Sequence, residues 1–183
     1  MNNDPIVWIV MGISGSGKTT VGRRLAQKLE CDFLEGDRRH PLSNILKMIS
    51  QQPLQEEDRL PWLLEIEADI QQAIDRNRET VITCSALKAS HRKQLVSLGS
   101  VQLVWLDVSI LLLKKRLGER RNHYMKLEML DSQIATFEAI GLEEDVMTID
   151  GAFPIDAVMS ELMTKAAQKF PSIKESWWER WTQ

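Results

Sequence analysis

The feature that most constrains the fold is a glycine-rich loop between a short apolar run and an amphipathic helix. Residues 6–11 are continuously apolar and partly β-branched, which is typical of a buried strand in a parallel sheet. The run stops at Gly12, and residues 12–19 read GISGSGKT. Apolar residues then recur at helical spacing, at Val21, Leu25 and Leu29. The sequence therefore predicts a strand, a glycine loop and a helix over 18–29.

The loop matches the pattern GxxxxGK[ST] in full, in the strand and helix context that the pattern requires. Backbone N–H groups of such a P-loop surround the β-phosphate of a nucleotide, and the helix N-terminus adds partial positive charge. Lys18 is expected to bridge the β- and γ-phosphates, and the Thr19 hydroxyl to reach Mg²⁺. The alternative is a glycine-rich turn with a chance lysine. The predicted ATP-binding residues here are Gly12, Ser14, Gly15, Ser16, Gly17, Lys18, Thr19 and Thr20.

The rest of the chain alternates between further predicted strands and helices. The strands are expected at 33–34, 80–84, 101–106 and 146–149. The helices are expected at 44–50, 61–76, 89–97, 109–118, 126–140 and 154–168. This order predicts a three-layer α/β/α fold with a parallel sheet, whose ligands lie beyond the carboxyl ends of the strands. With 183 residues, we expect one domain over 1–169 and a tail over 170–183.

Charge and cysteine content narrow the function classes. A formal net charge of −3 lacks the basic excess of a nucleic-acid-binding protein, so no polynucleotide partner is expected. Cys31 and Cys84 form no CxxC pair, so a disulfide framework or zinc site is not indicated. The N-terminal apolar run is too short to span a bilayer and lacks a cationic lead. We expect a cytoplasmic protein without a membrane segment.

Among P-loop proteins, the sequence favours a small kinase. No NKxD motif of guanine-nucleotide switches occurs, and a motor would be larger. A kinase needs an acceptor pocket, and Asp37 follows the second predicted strand, where a carboxylate can accept a hydroxyl proton or hold a magnesium-bound water. The alternative for Asp37 is a solvated turn residue. His40 lies beside a proline, where a structural role is the commoner one.

Five motifs in order carry a resemblance to the gluconokinase family. They are GxSGSGK[ST], GDxxHPxxNxxKM, PLxxxDRxPWL, CSALKxxxR and RxxxRxxH, and with their flanks they cover about residues 6–165. The resemblance implies a fold like the nucleoside monophosphate kinases and transfer of the ATP γ-phosphate to the 6-hydroxyl of D-gluconate. It also implies, commonly, a homodimer.

The resemblance also implies an acceptor site. A sugar acid needs cations near its carboxylate and mixed donors and acceptors near its hydroxyls. Arg59 or Lys88 is expected to meet the carboxylate, and Asp37 to orient the hydroxyl, while Arg92 is equally compatible with a surface charge. Trp62 is either an apolar wall or core. The substrate-binding set is Asp37, His40, Arg59, Lys88, Arg92 and His123, and the catalytic set is Lys18, Asp37 and Arg120.

A lid is expected over about 116–126. Its cations either cover the phosphates or form a charged helix face, and the resemblance favours Arg116 and Arg120 as nucleotide-binding. The cluster comprises Arg116, Arg120, Arg121 and His123. Similar sequences usually have Gly where this chain has Asn122. Asp107 ends a strand as a Walker B aspartate does, and a role in metal binding is left open for it. Residues 150–154 are expected beside adenine.

Two other functions remain open from the sequence. One is another small-molecule kinase of the shikimate type, and the other is a nucleotide-binding regulator without transfer activity. The tail at 170–183 lies outside the resemblance, and its tryptophans are compatible with packing on the body or on a partner subunit. These tryptophans are Trp177, Trp178 and Trp181.

Overall fold

The computed structural model describes residues 5–119 and 127–171, with the backbone alone described for 127 and 128. Its strands are β1 Val7–Met11, β2 Asp32–Glu35, β3 Thr80–Cys84, β4 Val101–Asp107 and β5 Val146–Asp150. Its α-helices are α1 Lys18–Leu29, α2 Leu42–Ile49, α3 Glu56–Asp75, α4 Ala89–Val96, α5 Ile110–Gly118, α6 Leu127–Thr136 and α7 Ile155–Lys169. A 3₁₀ helix, Gly36–Arg39, follows β2. Across these described ranges, no helix combines the length and apolarity needed to cross a membrane.

The five strands form one sheet in the order β2-β3-β1-β4-β5, and all four pairings are parallel. All five residues of β1 are buried, as expected for a central strand covered on both faces. One apolar cluster packs α3, α4, α5 and α6 on one face, and another packs α1 and α7 on the other. The predicted three-layer α/β/α architecture is therefore confirmed.

Parallel pairing brings the carboxyl ends of the strands to one edge of the sheet. Met11 pairs with Cys84, and Asp107 pairs with Asp150 at the far side of the same edge. The segments that follow the strands therefore meet there, which is where ligands bind in such sheets. Cys84 is fully buried, and this burial raises the pKa of its thiol to about 12, as expected for a residue of the packed core.

The start of α3 differs from the prediction. The sequence predicts a helix from residue 61, whereas α3 begins at Glu56. Gln55 and Asp58 form a capping box at the helix start, and three acidic residues in the first turn complement the helix dipole. These local interactions stabilise a helix start ahead of Pro61, which the helix accommodates. The earlier start places Arg59 in the first turn of α3.

Candidate active site

Two cavities open on the two sides of the glycine loop. The P-loop cavity is lined by Gly15, Gly17, Thr20, Arg116, Gly151 and Phe153, among others. The Asp37 cavity is lined by Ser14, Lys18, Asp37, His40, Arg59 and Gln133, among others. Because Ser14 and Lys18 line one cavity and their neighbours in the loop line the other, the loop separates the two.

The glycine loop has the backbone geometry of a phosphate-binding turn. Gly15 and Gly17 have φ of 92° and 103°, a left-handed region in which glycine is favoured. Lys18 Nζ donates to the carbonyl oxygens of Gly12 (2.9 Å) and Ile13 (3.4 Å), so its ammonium lies against the loop. Thr19 and Thr20 are exposed in the first turn of α1. The predicted nucleotide-binding residues of this segment are thus contiguous at one helix N-terminus.

The rim of the P-loop cavity joins the loop after β5 to α5. Arg116 donates to the carbonyl oxygens of Gly151 (2.8 Å) and Ser16 (3.4 Å). The Gly151 N–H in turn donates to the Asp107 carbonyl at 2.8 Å. The segment that the sequence places beside adenine therefore lies against the P-loop, and Phe153 offers an exposed ring there. The Asp107 side chain is exposed at the end of β4.

Asp37 projects from the 3₁₀ helix directly after β2, and its position is fixed by Gly36. A Cβ atom at Gly36 would lie 2.0 Å from the Thr83 carbonyl oxygen, so only glycine permits this approach. The Gly36 N–H donates to Thr83 Oγ1 (3.2 Å), and Trp62 Nε1 donates to the Gly36 carbonyl (2.8 Å). The backbone before Asp37 is therefore held from two sides. Trp62 is both buried core and a wall of the Asp37 cavity.

His40 is held as a neutral imidazole. Its ring stacks on Trp62 with a centroid distance of 4.7 Å and an interplanar angle of 10°. The Asn44 amide nitrogen donates to the Asp58 carbonyl (2.6 Å) and lies 3.2 Å from His40 Nδ1. Because that nitrogen only donates, Nδ1 accepts and the proton of the neutral ring is on Nε2.

The charge state of His40 follows from burial. Burial lowers the pKa of His40 to about 4. The negative charge of Asp37 raises this pKa, and the positive charge of Arg59 lowers it further. At neutral pH the ring is therefore uncharged, with its proton on Nε2, and the side chain lines the Asp37 cavity. The side chain therefore packs as a structural residue against Trp62 and also lines the Asp37 cavity.

Arg59 and Lys88, the two candidate carboxylate ligands, differ in their surroundings. Arg59 lines the Asp37 cavity, and its guanidinium is 3.4 Å from Thr136 Oγ1. Burial lowers the pKa of Arg59, although the negative charges of Glu56 and Asp58 raise it. Lys88 Nζ is 2.6 Å from Glu56 Oε2 and is not among the residues that line the cavity. The geometry thus favours Arg59.

Arg92 requires a correction. The sequence leaves it as a substrate ligand or a surface charge, but its side chain is fully buried. It forms two hydrogen bonds to Glu144 (2.5 and 2.8 Å) and also donates to three loop carbonyls, those of Ala86, Leu87 and Ala139. Inward-facing carbonyls and a carboxylate require a group with several fixed donors, which guanidinium provides. Arg92 therefore joins the loop after β3 to the loop after α6, and we exclude it from the acceptor site.

Sequence reasoning missed several polar residues of the Asp37 cavity. Gln133 Oε1 accepts the Ser14 N–H at 2.7 Å. His91 lines the same cavity, with Nε2 2.6 Å from Glu56 Oε1. The only available signal for Gln133 was its spacing of one helical turn from Met129, which also lines the cavity. The predicted lid residues Arg120, Arg121, Asn122 and His123 lie outside the described residues, as do the tail tryptophans.

A P-loop beside a second cavity with a carboxylate and a guanidinium defines a small-molecule kinase of the P-loop class. A family model described as an AAA domain matches residues 7–140. The gluconokinase of Gluconobacter oxydans (strain 621H) is 40% identical over 164 residues, covering 89% of this chain and 92% of the relative. The thermoresistant gluconokinase of Escherichia coli (strain K12) is 37% identical, with 87% and 92% covered. The chain belongs to the gluconokinase family.

Solved structures agree with this assignment. The crystal structure of a gluconokinase from Sinorhizobium meliloti 1021 is 34% identical with a TM-score of 0.81, covering 94% of this chain and 98% of that one. The shikimate kinase from Aquifex aeolicus has a TM-score of 0.62 at 19% identity, covering 90% of this chain and 98% of that one. The second likeness shows a shared fold alone.

Proposed function

We propose that this protein transfers the γ-phosphoryl group of ATP to the 6-hydroxyl of D-gluconate, giving 6-phosphogluconate and ADP. The observation that supports the proposal most is that Lys18 of the P-loop lines the same cavity as Asp37 and Arg59. Donor phosphate and acceptor would therefore meet at Lys18. Holding the two in line supplies much of the rate enhancement of phosphoryl transfer, without a covalent enzyme intermediate.

Arg59 is proposed to bind the gluconate carboxylate. Its guanidinium can form two parallel hydrogen bonds to a carboxylate, and its partial burial strengthens such a contact. Lys88 is already paired with Glu56 at 2.6 Å, so it is the weaker candidate. An acceptor bound in this way would extend its hydroxyl chain from Arg59 towards Asp37.

Asp37 is proposed to orient the attacking hydroxyl by accepting its proton in a hydrogen bond. A loose phosphoryl transition state needs little proton removal, so positioning and weak general-base action are both compatible with this role. The neutral His40 would donate from Nε2 to an acceptor oxygen. Together they would give the pocket one acceptor and one donor close to the reacting end.

Magnesium is proposed as the metal of the reaction. The Thr19 hydroxyl and the Asp37 carboxylate, the latter through water, offer the oxygen ligands that Mg²⁺ prefers beside nucleotide phosphates. The ion would neutralise charge on the β- and γ-oxygens.

We also propose that residues 116–126 form a lid that supplies Arg120 and His123. Residues 1–169 are proposed as one kinase domain, followed by a tail at 170–183.

A homodimer is proposed on the basis of exposed apolar stripes on α2 and α3. Leu42, Leu46 and Ile49 follow one face of α2 and are 70%, 56% and 57% exposed. Leu60 and Leu64 are exposed at helical spacing on α3. Apolar surface of this kind is typical of interfaces. Sedimentation equilibrium of the wild type and of Leu46→Glu would test it, because the charged variant should be the more monomeric.

The cytoplasm is proposed as the compartment. Cys31 and Cys84 are free thiols in the described structure, as expected in a reducing environment. Localisation of a fluorescent fusion in the source cells would test this proposal, and export of the protein would contradict it.

The reaction is tested by ADP release with Mg·ATP in the presence of D-gluconate, shikimate, other sugar acids or no acceptor. Selective turnover with D-gluconate, confirmed by mass spectrometry, is expected. Turnover with shikimate alone would move the assignment to a shikimate-type kinase. ATP binding without transfer to any acceptor would indicate a nucleotide-binding regulator.

A further inference from the structure

The side-chain amide of Gln133 lies on the phosphate-binding loop itself. Its Oε1 accepts the Ser14 N–H at 2.7 Å, although the two residues are 119 positions apart in the chain. Ser14 is buried within the glycine loop, and both residues line the Asp37 cavity together with Lys18. The contact therefore lies on the acceptor side of the loop, where the γ-phosphate and the acceptor must meet.

The orientation of the amide follows from this contact. A backbone N–H can only donate, so the atom of Gln133 that faces Ser14 is the oxygen. The Nε2 group, with its two hydrogens, is therefore the part of the amide that faces away from Ser14, on a side chain that lines the Asp37 cavity. An amide fixed in this way is a preorganised donor that needs no reorientation during the reaction.

The segment directly after α6 is bound to the loop after β3. The Glu138 N–H donates to the Leu87 carbonyl (2.9 Å), and Glu138 Oε2 accepts the Ala89 N–H (2.7 Å). Arg92 bonds the Ala139 carbonyl just beyond the helix. Gln133 therefore extends from a helix whose carboxyl end is tied to the loop after β3, which limits how far its amide can move.

We propose that Gln133 is a further catalytic residue whose Nε2 donates to an oxygen of the γ-phosphoryl group during transfer, while Oε1 remains on the Ser14 N–H. Charge develops on the equatorial oxygens of the transferred group, and a fixed donor stabilises it where it develops. This inference rests on the proposed kinase function and adds a donor from α6 to the P-loop set.

The test compares Gln133→Met with Gln133→Glu, using ATP and D-gluconate. Methionine keeps the length of the side chain without donors, and glutamate keeps an oxygen for Ser14 but loses both donors. Gln27→Met, an exposed position on α1, is the matched control. Turnover, the KM for ATP, the dissociation constant of ADP and the melting temperature are measured for each variant.

We expect Gln133→Met to lower kcat about 10- to 100-fold. Its ADP affinity and melting temperature should stay close to those of Gln27→Met, since the β-phosphate is held by the loop itself. Gln133→Glu should not recover kcat.

Wild-type kcat in Gln133→Glu together with a loss in Gln133→Met would overturn the inference, because the oxygen alone would then suffice. A loss confined to melting temperature or ADP affinity would overturn it in favour of a structural role. If the wild type itself does not phosphorylate D-gluconate, the proposed function fails. If the wild type phosphorylates D-gluconate and Gln133→Met has the same kcat, the proposed function stands and only the inference about Gln133 is overturned.

Discussion

The P-loop cavity and the Asp37 cavity are neighbours but differ in how much of each comes from one local segment. In the P-loop cavity, the glycine-loop side comes from one continuous segment, since Gly15, Gly17 and Thr20 lie within six residues of sequence, and α5, the loop after β5 and α7 complete the lining. The Asp37 cavity draws its polar side chains from separate elements, including the 3₁₀ helix, α3 and α6. Nucleotide binding thus depends mainly on local backbone geometry, whereas acceptor binding depends on long-range packing.

This difference predicts that substitutions can abolish transfer and leave nucleotide binding intact. The largest effect on turnover is expected for Asp37→Asn, which keeps the shape of the side chain and removes its charge. We expect kcat to fall about 10²- to 10⁴-fold while the ADP dissociation constant stays within a few-fold of the wild type. Steady-state kinetics and ADP titration would measure both. Asp131→Asn, an exposed change on α6, is the control, and equal losses in the two variants would contradict the role of Asp37.

A second substitution tests the packing on which the Asp37 cavity depends. Arg92→Met removes a buried cation and leaves Glu144 without its partner. We expect the free energy of unfolding to fall by about 3–5 kcal/mol. Denaturant unfolding would measure it. Full stability of the variant, combined with a raised KM for gluconate, would show that Arg92 acts on substrate instead.

The third prediction separates the two cations near the acceptor. Arg59→Ala should raise the KM for D-gluconate about 10- to 100-fold with little change in the KM for ATP, since it removes a charge-assisted contact. Lys88→Ala should change the gluconate KM much less, because Lys88 is paired with Glu56. Steady-state kinetics with each substrate varied would decide between them. The reverse order of effects would assign the carboxylate to Lys88.

The fourth prediction concerns His40 and pH. Its native pKa of about 4 lies below the ordinary value of 6.5, so the unfolded chain binds more protons between these values. The stability from the neutral imidazole is fully present above pH 6.5 and is lost as pH falls towards 4, by up to about 3 kcal/mol. Urea unfolding from pH 7 to 4 should show a shallower loss for His40→Gln. Identical pH profiles would contradict a buried neutral His40.

The same contrast explains which features could be predicted from the sequence. The P-loop and the strands were predictable because glycine spacing and apolar runs are local signals, and Asp37 because it directly follows a strand. Arg92 and Gln133 were not, because their roles are set by Glu144 and Ser14, which are distant in sequence. The start of α3 differs from the prediction because proline is typical of a first helical turn, whereas the capping box at Gln55 sets the start ahead of Pro61.

In the proposed complex, gluconate lies with its carboxylate at Arg59 and its far hydroxyl at Asp37, beside the γ-phosphate. The most direct test is the position of the new phosphate ester, determined by ¹³C and ³¹P NMR of the product formed from ATP and D-gluconate. We expect an ester at O6, the hydroxyl furthest from the carboxylate. An ester at another hydroxyl, or no phosphorylated gluconate at all, would contradict it.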